Sequence, residues 1–161
     1  MSLAKMVKGE YKIERCTMRV SKALVIETAS QIADEQGLNS LSLKAVAEKL
    51  NVRTPSLYNH IESLDDLLRE VAHKGMRSMN EQMAQAAIGK SGDTALKGVS
   101  IEYLNFIIEH PGVYETIQWA TWHGTEETAQ IFGNYIKILS TIISSYNFPS
   151  ESTNEILNLF T

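Results

Sequence analysis

The sequence predicts an all-α fold in which a three-helix head with a helix-turn-helix precedes a larger helical body. Apolar residues recur at helical spacing on both sides of a short break at Asn51 and Val52. A second helical period runs through residues 64–87 without a proline or turn signal, and a third runs through residues 126–146. At 161 residues and 43% apolar composition, the chain is long enough to bury a hydrophobic core.

The amino-terminal residues 1–20 are basic and show little apolar periodicity. We expect a flexible arm that lies on phosphates or enters a minor groove, and a disordered tail that only aids solubility is an equal alternative. The first helix is predicted from a cap at Ser21 to about Gln36. Its apolar stripe is regular and Gly37 follows it, which is typical of a helix end.

The second helix of the head is predicted to begin at Ser42, whose hydroxyl can cap it. Asn51 tolerates a left-handed backbone, which suits the tight turn after this helix. Thr54 is then expected to cap the third helix, with Pro55 at its first position. Because Leu57 and Ile61 are four residues apart, both are predicted to face the core.

The opposite face of this third helix is predicted to be polar. Spacing places Arg53, Ser56, Asn59 and His60 outward, away from the apolar pair. Side chains that donate and accept hydrogen bonds suit base edges and phosphates better than they suit solvent alone. The head is therefore a candidate nucleic-acid interface.

The body begins with a connecting helix predicted over residues 64–87. A loop at residues 89–93 follows, and Thr94 can cap a helix that ends near His110. Residues 113–124 contain both tryptophans, and aromatic residues at this density are expected to bury a large area. We expect Gly124 to end that helix and Thr125 to cap the next.

The helix predicted over residues 126–146 carries more apolar residues than one buried stripe requires, which indicates a shared face such as a dimer seam. Residues 147–149 break it, and a new apolar face opens at residues 156–160 just before Thr161. We therefore expect that the body is incomplete at its carboxy end.

Charge is distributed unevenly along the chain. The net charge is −4, but residues 1–60 carry nine Lys or Arg against six Asp or Glu, so the remainder carries −7. A basic head on an acidic body fits a DNA-reading head, although a difference this small can arise by chance. The single cysteine, Cys16, excludes an internal disulfide and fits a reducing cytoplasm. No membrane span or secretory signal is evident.

Residues 50–61, LNVRTPSLYNHI, together with Asp66, Leu67 and Leu68, resemble the recognition segment of the tetracycline-repressor (TetR) family of bacterial regulators. The chain departs from that pattern at Asn51, Ile61 and Leu64, where glycine, phenylalanine and lysine are common. Loss of the lysine removes a phosphate contact, so we expect either weaker binding to the DNA backbone or a contact from other basic residues such as Lys44 and Arg53. The run Trp122-His123-Gly124 also resembles the signature of a WHG-type carboxy-terminal domain found in one TetR subgroup.

The resemblance implies roles for individual residues. The residues expected to read bases are Arg53, Pro55, Ser56 and Asn59. The residues expected to hold phosphates are Ser42, Lys44, Thr54, Tyr58 and His60, and capping alone is an alternative role for Ser42. In the body, the candidates to line an effector pocket are Met76, Met79, Met83, Tyr103, Phe106, Trp119, Trp122 and His123. The alternative for each of these is ordinary core packing.

The predicted organisation is a flexible arm at residues 1–20, a helix-turn-helix domain at 21–63 and an effector-binding and dimerisation domain at 64–161. By resemblance, the protein is expected to be a homodimeric, ligand-responsive repressor that leaves a palindromic DNA operator when a small molecule binds the body. An all-helical protein-interaction scaffold is the alternative.

An enzyme is not expected. No HExxH, CxxC, GxGxxG, GxxxxGK[ST] or GxSxG motif occurs, so neither a metal nor a cofactor is predicted.

Overall fold

A computed structural model describes residues 20–146 together with Ser152 and Glu155. Within these residues there is no strand, which confirms the all-α prediction. The helices are α1 Lys22–Gln36, α2 Leu43–Lys49, α3 Leu64–Ala87, α4 Gly92–Glu109, α5 Pro111–His123 and α6 Glu126–Ser144, with 3₁₀-helices at Leu38–Ser40 and Thr54–Asn59. The predicted arm, apart from Val20, and the apolar residues 156–160 lie outside the described residues.

The ends of the head helices follow local capping chemistry. The hydroxyl of Ser21 accepts a hydrogen bond from the Leu24 N–H at 3.2 Å, and the hydroxyl of Ser42 accepts one from Ala45 at 3.1 Å. Gly37 ends α1 with φ at +82°, a conformation that glycine adopts without strain. The predicted starts of α1 and α2 are therefore confirmed.

The central element is α3, which packs against α1, α4, α5 and α6. Its buried face includes Leu67, Val71, Met76, Met79 and Met83. The predicted range 64–87 is confirmed, because Ser63 caps the Asp66 N–H at 3.0 Å and the apolar period continues to Ala87. One rigid helix thus reaches from the head through the middle of the body.

Two helix starts differ from the prediction. Helix α4 begins at Gly92 and not at Thr94, because the Ser145 hydroxyl at the end of α6 accepts from the Gly92 N–H at 2.9 Å. The third head helix begins at Thr54, with Arg53 at the cap position and no side-chain cap. Pro55 offers no N–H, and that of Ser56 donates to the Arg53 carbonyl at 2.8 Å and not to the Thr54 hydroxyl.

The helices differ in how far their large apolar side chains are covered. All isoleucine, leucine, phenylalanine and tyrosine side chains of α6 are buried or half-buried within this chain. On α4, by contrast, Ile101, Leu104 and Ile108 are exposed at a spacing that puts them on one side of the helix. Of the half-buried residues of α6, Tyr135 and Ile138 pack against the core of this chain. The dimer seam on α6 stays a prediction. No helix in the described part of the chain is both long enough and apolar enough to cross a membrane.

The head is joined to the body mainly through α1. Asp34, near the end of α1, accepts a hydrogen bond from the Val113 N–H at 2.8 Å, and its second oxygen is 3.0 Å from Nδ1 of His110. A carboxylate can only accept, so this ring nitrogen carries the proton. Helix α5 has no cap from its own sequence, so Asp34 of the head caps the first turn of a body helix.

Close backbone packing reinforces this joint. A Cβ atom placed on Gly112, in the first turn of α5, would lie 1.9 Å from the carbonyl oxygen of Ala33 in α1. Two ion pairs, Lys22 with Glu70 and Lys74 with Glu27, also join α1 to α3. The Lys74 ammonium lowers the pKa of the Glu27 carboxyl. Because α1 is fixed to both α3 and α5, a shift of either body helix would be transmitted to the head.

Candidate nucleic-acid interface and ligand cavity

The turn of the helix-turn-helix is set by one left-handed residue. Asn51 has φ at +54°. The N–H of Val52 donates to the Ala47 carbonyl at 2.9 Å, which closes the end of α2. Asparagine adopts this conformation with less strain than most other non-glycine residues. The predicted role of Asn51 is confirmed.

The recognition segment, Thr54–Asn59, is a single short 3₁₀-helix and not the longer helix that was predicted. Leu57 and Ile61 are buried in the same core as Val46 and Ala47 of α2, as the spacing predicted. Only two residues anchor the segment, and α3 begins at Leu64, so few residues remain in which an α-helix could propagate.

Anchoring through Leu57 leaves the other side of the segment in solvent. Arg53, Pro55 and Asn59 are exposed and Ser56 is half-buried. Within residues 20–146, no hydrogen bond or ion pair holds the side chain of Arg53 or Asn59. The residues proposed to read bases are thus close in sequence on one short element, and the two strongest hydrogen-bonding groups are uncommitted.

The residues proposed to hold phosphates lie on both sides of the turn. Tyr58 is 56% exposed, and Thr54 and His60 are half-buried. The Ser42 oxygen already caps α2, but its O–H is still able to donate. The exposed ammonium of Lys44 is 3.8 Å from Glu48, and a surface pair of this kind is weak enough to yield to a phosphate.

The positive charge of the head comes from its amino terminus. Residues 20–60 carry four basic and four acidic side chains and are neutral overall. Residues 1–19 carry five basic and two acidic side chains, which is the whole excess of three. The net positive charge of residues 1–60 therefore lies in the predicted arm and not in the residues around the recognition segment.

The body contains a cleft of about 450 Å³ between α3, α4, α5 and α6. A second cleft of about 330 Å³ adjoins it and shares Met76, Thr121, Trp122 and Phe132 with it. Four of the eight predicted pocket residues line the larger cleft, namely Met76, Met79, Tyr103 and Trp122. The wall also contains residues that were not predicted, including Asn80, Tyr114, Gln118, Thr121, Phe132 and Tyr135.

The other four predicted pocket residues lie elsewhere. Met83 and Phe106 are almost wholly buried in the core and line neither cleft. Trp119 and His123 are four residues apart on α5 and stack on each other, with ring centroids 4.6 Å apart. Trp122 is 87% exposed at the edge of the clefts, so it contributes little to the large buried area expected of this aromatic stretch. Helical spacing alone did not distinguish the side of α5 that faces the cleft.

Three tyrosines contribute hydroxyl groups to the wall of the larger cleft. The hydroxyls of Tyr103 and Tyr114 are 2.7 Å apart, and their rings meet edge to face at 6.1 Å. The Tyr135 ring is 6.4 Å from that of Tyr103. Burial raises the pKa of Tyr103, and its contact with the Tyr114 hydroxyl raises it further. Burial also raises the pKa of Tyr135, so the phenols of Tyr103 and Tyr135 stay uncharged at neutral pH.

His73 lies behind the smaller cleft and joins α3 to the start of α6. Its Nε2 is 2.7 Å from the hydroxyl oxygen of Thr128, which also accepts from the Thr125 N–H at 2.9 Å. Burial lowers the pKa of His73, and the Glu127 carboxylate 3.8 Å away only partly opposes this. The folded state therefore favours the neutral imidazole.

Acidification should consequently destabilise the protein through His73. The pKa of His73 is lower in the folded state than in the unfolded state, where it is near 6.5. The stability that His73 contributes is therefore fully present above the unfolded pKa, and it is lost as pH falls through the folded pKa. His73→Gln should lose about 1 kcal/mol at pH 8, and the gap from wild type should narrow towards pH 5. Urea unfolding at pH 8, 7, 6 and 5 measures this. If the two free energies of unfolding differed by the same amount at all four pH values, the prediction for His73 would be contradicted.

No group of three or more histidine, cysteine, aspartate or glutamate side chains is placed to hold a metal ion in the part of the chain that the structure describes.

Comparison with known proteins gives consistent matches. The sequence model of a family described as bacterial regulatory proteins, tetR family, matches residues 25–71. An uncharacterized HTH-type transcriptional regulator of Bacillus subtilis (strain 168) is 40% identical over 135 residues, which cover 83% of this chain and 69% of that protein. A second uncharacterized HTH-type regulator, from Mycobacterium tuberculosis, is 29% identical over 83% of this chain and 62% of its own length.

A solved structure supports the same fold. The transcriptional regulator described as a TetR from Streptomyces coelicolor has a TM-score of 0.66 at 16% identity, covering 87% of this chain and 66% of that one. The chain thus spans about two thirds of the length of these matched proteins. None of the matches tests the WHG-type resemblance, which stays a prediction.

Proposed function

This chain belongs to the TetR family of DNA-binding transcriptional regulators, and from that premise we propose that it is a ligand-responsive repressor acting as a homodimer on a palindromic operator. The observation that carries the proposal is the recognition segment, whose apolar residue Leu57 is buried while Arg53 and Asn59 are exposed and uncommitted. Both side chains are therefore available to bind another molecule.

The side chains divide by chemistry into two roles. Arg53 can donate two hydrogen bonds, to the O6 and N7 atoms of guanine. Asn59 can accept a hydrogen bond from N6 of adenine and donate one to N7. Ser56 adds a shorter contact and Pro55 an apolar surface for a thymine methyl group. Ser42, Lys44, Thr54, Tyr58 and His60 hold phosphates, which sets the register of the segment on the duplex without reading sequence.

Two substitutions separate these roles. Arg53→Ala should weaken binding and also flatten base preference by roughly 1–3 kcal/mol, because a bidentate base contact is lost. Tyr58→Phe removes one hydroxyl from a phosphate contact and should weaken binding to every sequence alike. Fluorescence anisotropy with a preferred site and its single-base variants, at one fixed salt concentration, measures both effects.

The matched control is Lys137→Ala, which removes one positive charge from an exposed position on α6, remote in sequence from the head. It should leave base preference unchanged. A changed preference in Tyr58→Phe with none in Arg53→Ala would mean that the two roles are misassigned. If the wild-type protein bound all DNA sequences equally, the alternative function, a protein-interaction scaffold, would be favoured.

Ligand response is proposed to act through α3. Met76 and Met79 of this helix line the larger cleft, while Glu70 and Lys74, one to two turns earlier, pair with α1 of the head. A ligand that favours one position of α3 would shift the population of head orientations. In a dimer, that shift changes the separation of two heads that must match half-sites about one helical turn apart or a multiple of it.

A further inference from the structure

We propose that the ligand of the larger cleft is an uncharged, aromatic molecule with an N–H or O–H group that donates a hydrogen bond to Oδ1 of Asn80. This inference rests on the proposed function, in which the cleft holds the effector, and adds the chemical class of that effector. It is carried by Asn80, by the absence of charge among the lining residues and by the aromatic composition of the wall.

Asn80 has one buried polar atom without a hydrogen-bond partner among the described residues. It lies on α3, is 8% exposed and lines the cleft. Its Nδ2 donates to the carbonyl oxygen of Ile131 in α6 at 3.0 Å, whereas Oδ1 is buried without a hydrogen-bond partner within the described residues. Turning the amide over would place two acceptors against each other, so the bond to Ile131 fixes which end is unpaired.

An unpaired buried acceptor is unfavourable, and native proteins seldom keep one without a reason. A ligand donor would satisfy it. Oδ1 is shielded from solvent in this conformation, so a ligand reaches it after the wall rearranges. Met76 and Met79 line the same wall, and methionine side chains rearrange at low energetic cost.

The cleft carries no formal charge. None of the eleven lining side chains is Asp, Glu, Lys, Arg or His. Burial raises the pKa of Tyr103 and Tyr135, which keeps these two hydroxyls protonated. An ionised ligand would lose hydration on entry without meeting an opposite charge, which strongly disfavours both carboxylates and ammonium groups.

The remaining wall favours flat rings. Tyr103, Tyr114, Phe132 and Tyr135 surround the space, and Trp122 stands exposed at its edge. Aromatic rings prefer offset or edge-to-face contact with other rings at centroid distances of 4.5–7 Å, which is the spacing seen among these residues. A ligand with a ring system and one donor uses both the apolar faces and the unpaired acceptor.

Four naphthalene compounds test the proposal on the unmodified protein. They are 2-naphthol, which has a donor; 2-methoxynaphthalene, which lacks it; 2-naphthoate, an anion; and 2-naphthylmethyl-trimethylammonium, a cation. Titration calorimetry at pH 7 should find that 2-naphthol binds about tenfold more tightly than the methoxy compound, as expected for one buried hydrogen bond, and more tightly than either ion. Equal binding of the first two compounds, tighter binding of an ion, or no binding at all would overturn the proposal.

Two variants locate the effect. Asn80→Leu should remove the preference for 2-naphthol over 2-methoxynaphthalene, whereas Thr121→Val, which alters another hydroxyl of the same wall, should keep it. Persistence of the preference in Asn80→Leu would overturn the assignment to Asn80. If that variant does not fold, the four compounds on wild-type protein still decide the ligand class.

The same compounds separate this inference from the proposed function. Anisotropy with labelled DNA shows whether saturating 2-naphthol changes DNA affinity. A tenfold preference for the donor without any change in DNA affinity supports the ligand class and contradicts ligand response. A change in DNA affinity that is equal for all four compounds supports ligand response and contradicts the ligand class.

Discussion

Replacing Gly112 by alanine should lower the free energy of unfolding by about 3 kcal/mol or more. The added methyl group would lie 1.9 Å from the carbonyl oxygen and 2.1 Å from the carbonyl carbon of Ala33. These are backbone atoms of another helix, so no side-chain rotation can relieve the overlap. Helices α1 and α5 must separate instead, which loosens the packing of the head on the body.

Gly133→Ala is the matched control for this substitution. Gly133 lies within α6, and a Cβ atom there would meet nothing within 4 Å. Alanine at such a helical site should stabilise the protein by roughly 0.5–1 kcal/mol. Urea unfolding of both variants, followed by circular dichroism, gives the comparison. A loss below about 1 kcal/mol for Gly112→Ala would contradict the close packing of α1 on α5.

Asp34→Ala should lower the free energy of unfolding by about 2 kcal/mol, the upper end for loss of a helix cap. The carboxylate holds the Val113 N–H and faces the ring nitrogen of His110, and α5 has no cap within its own sequence. Its removal leaves the first turn of α5 with an unpaired donor in a partly buried place. The substitution should therefore act through the joint between head and body.

Asp65→Ala is the control for this prediction. Asp65 is also an acid near a helix start, but it is exposed and contributes only through the helix dipole of α3, about 0.3–1 kcal/mol. The same urea titrations compare the two. An equal and small loss for both variants would show that Asp34 does not cap α5.

Local signals account for what the sequence could predict. Ser21 and Ser42 begin their helices, Asn51 takes the left-handed turn, and the long apolar period ends at Ala87. Each of these depends on residues within one or two turns of the position concerned. Helices, turns and caps of this kind could be predicted because they depend on residues that are near in sequence.

What the sequence did not predict depends on distant residues. The cap on α5 comes from Asp34, some eighty positions earlier, and the start of α4 is set by Ser145 near the end of α6. Tyr114, Phe132 and Asn80 enter the cleft because three helices meet there, which no periodicity within one helix reveals. The packing of α5 leaves Trp122 largely exposed at the edge of the cleft, which the spacing along α5 alone did not indicate.

Selection of bound DNA from a random pool at near-physiological salt tests the central claim most directly. A regulator that reads sequence through two copies of the recognition segment should enrich a palindrome whose half-sites lie about one helical turn apart or a multiple of it. The Arg53→Ala protein, selected in parallel, should give a more degenerate half-site. Recovery of DNA without any enriched sequence would contradict the account.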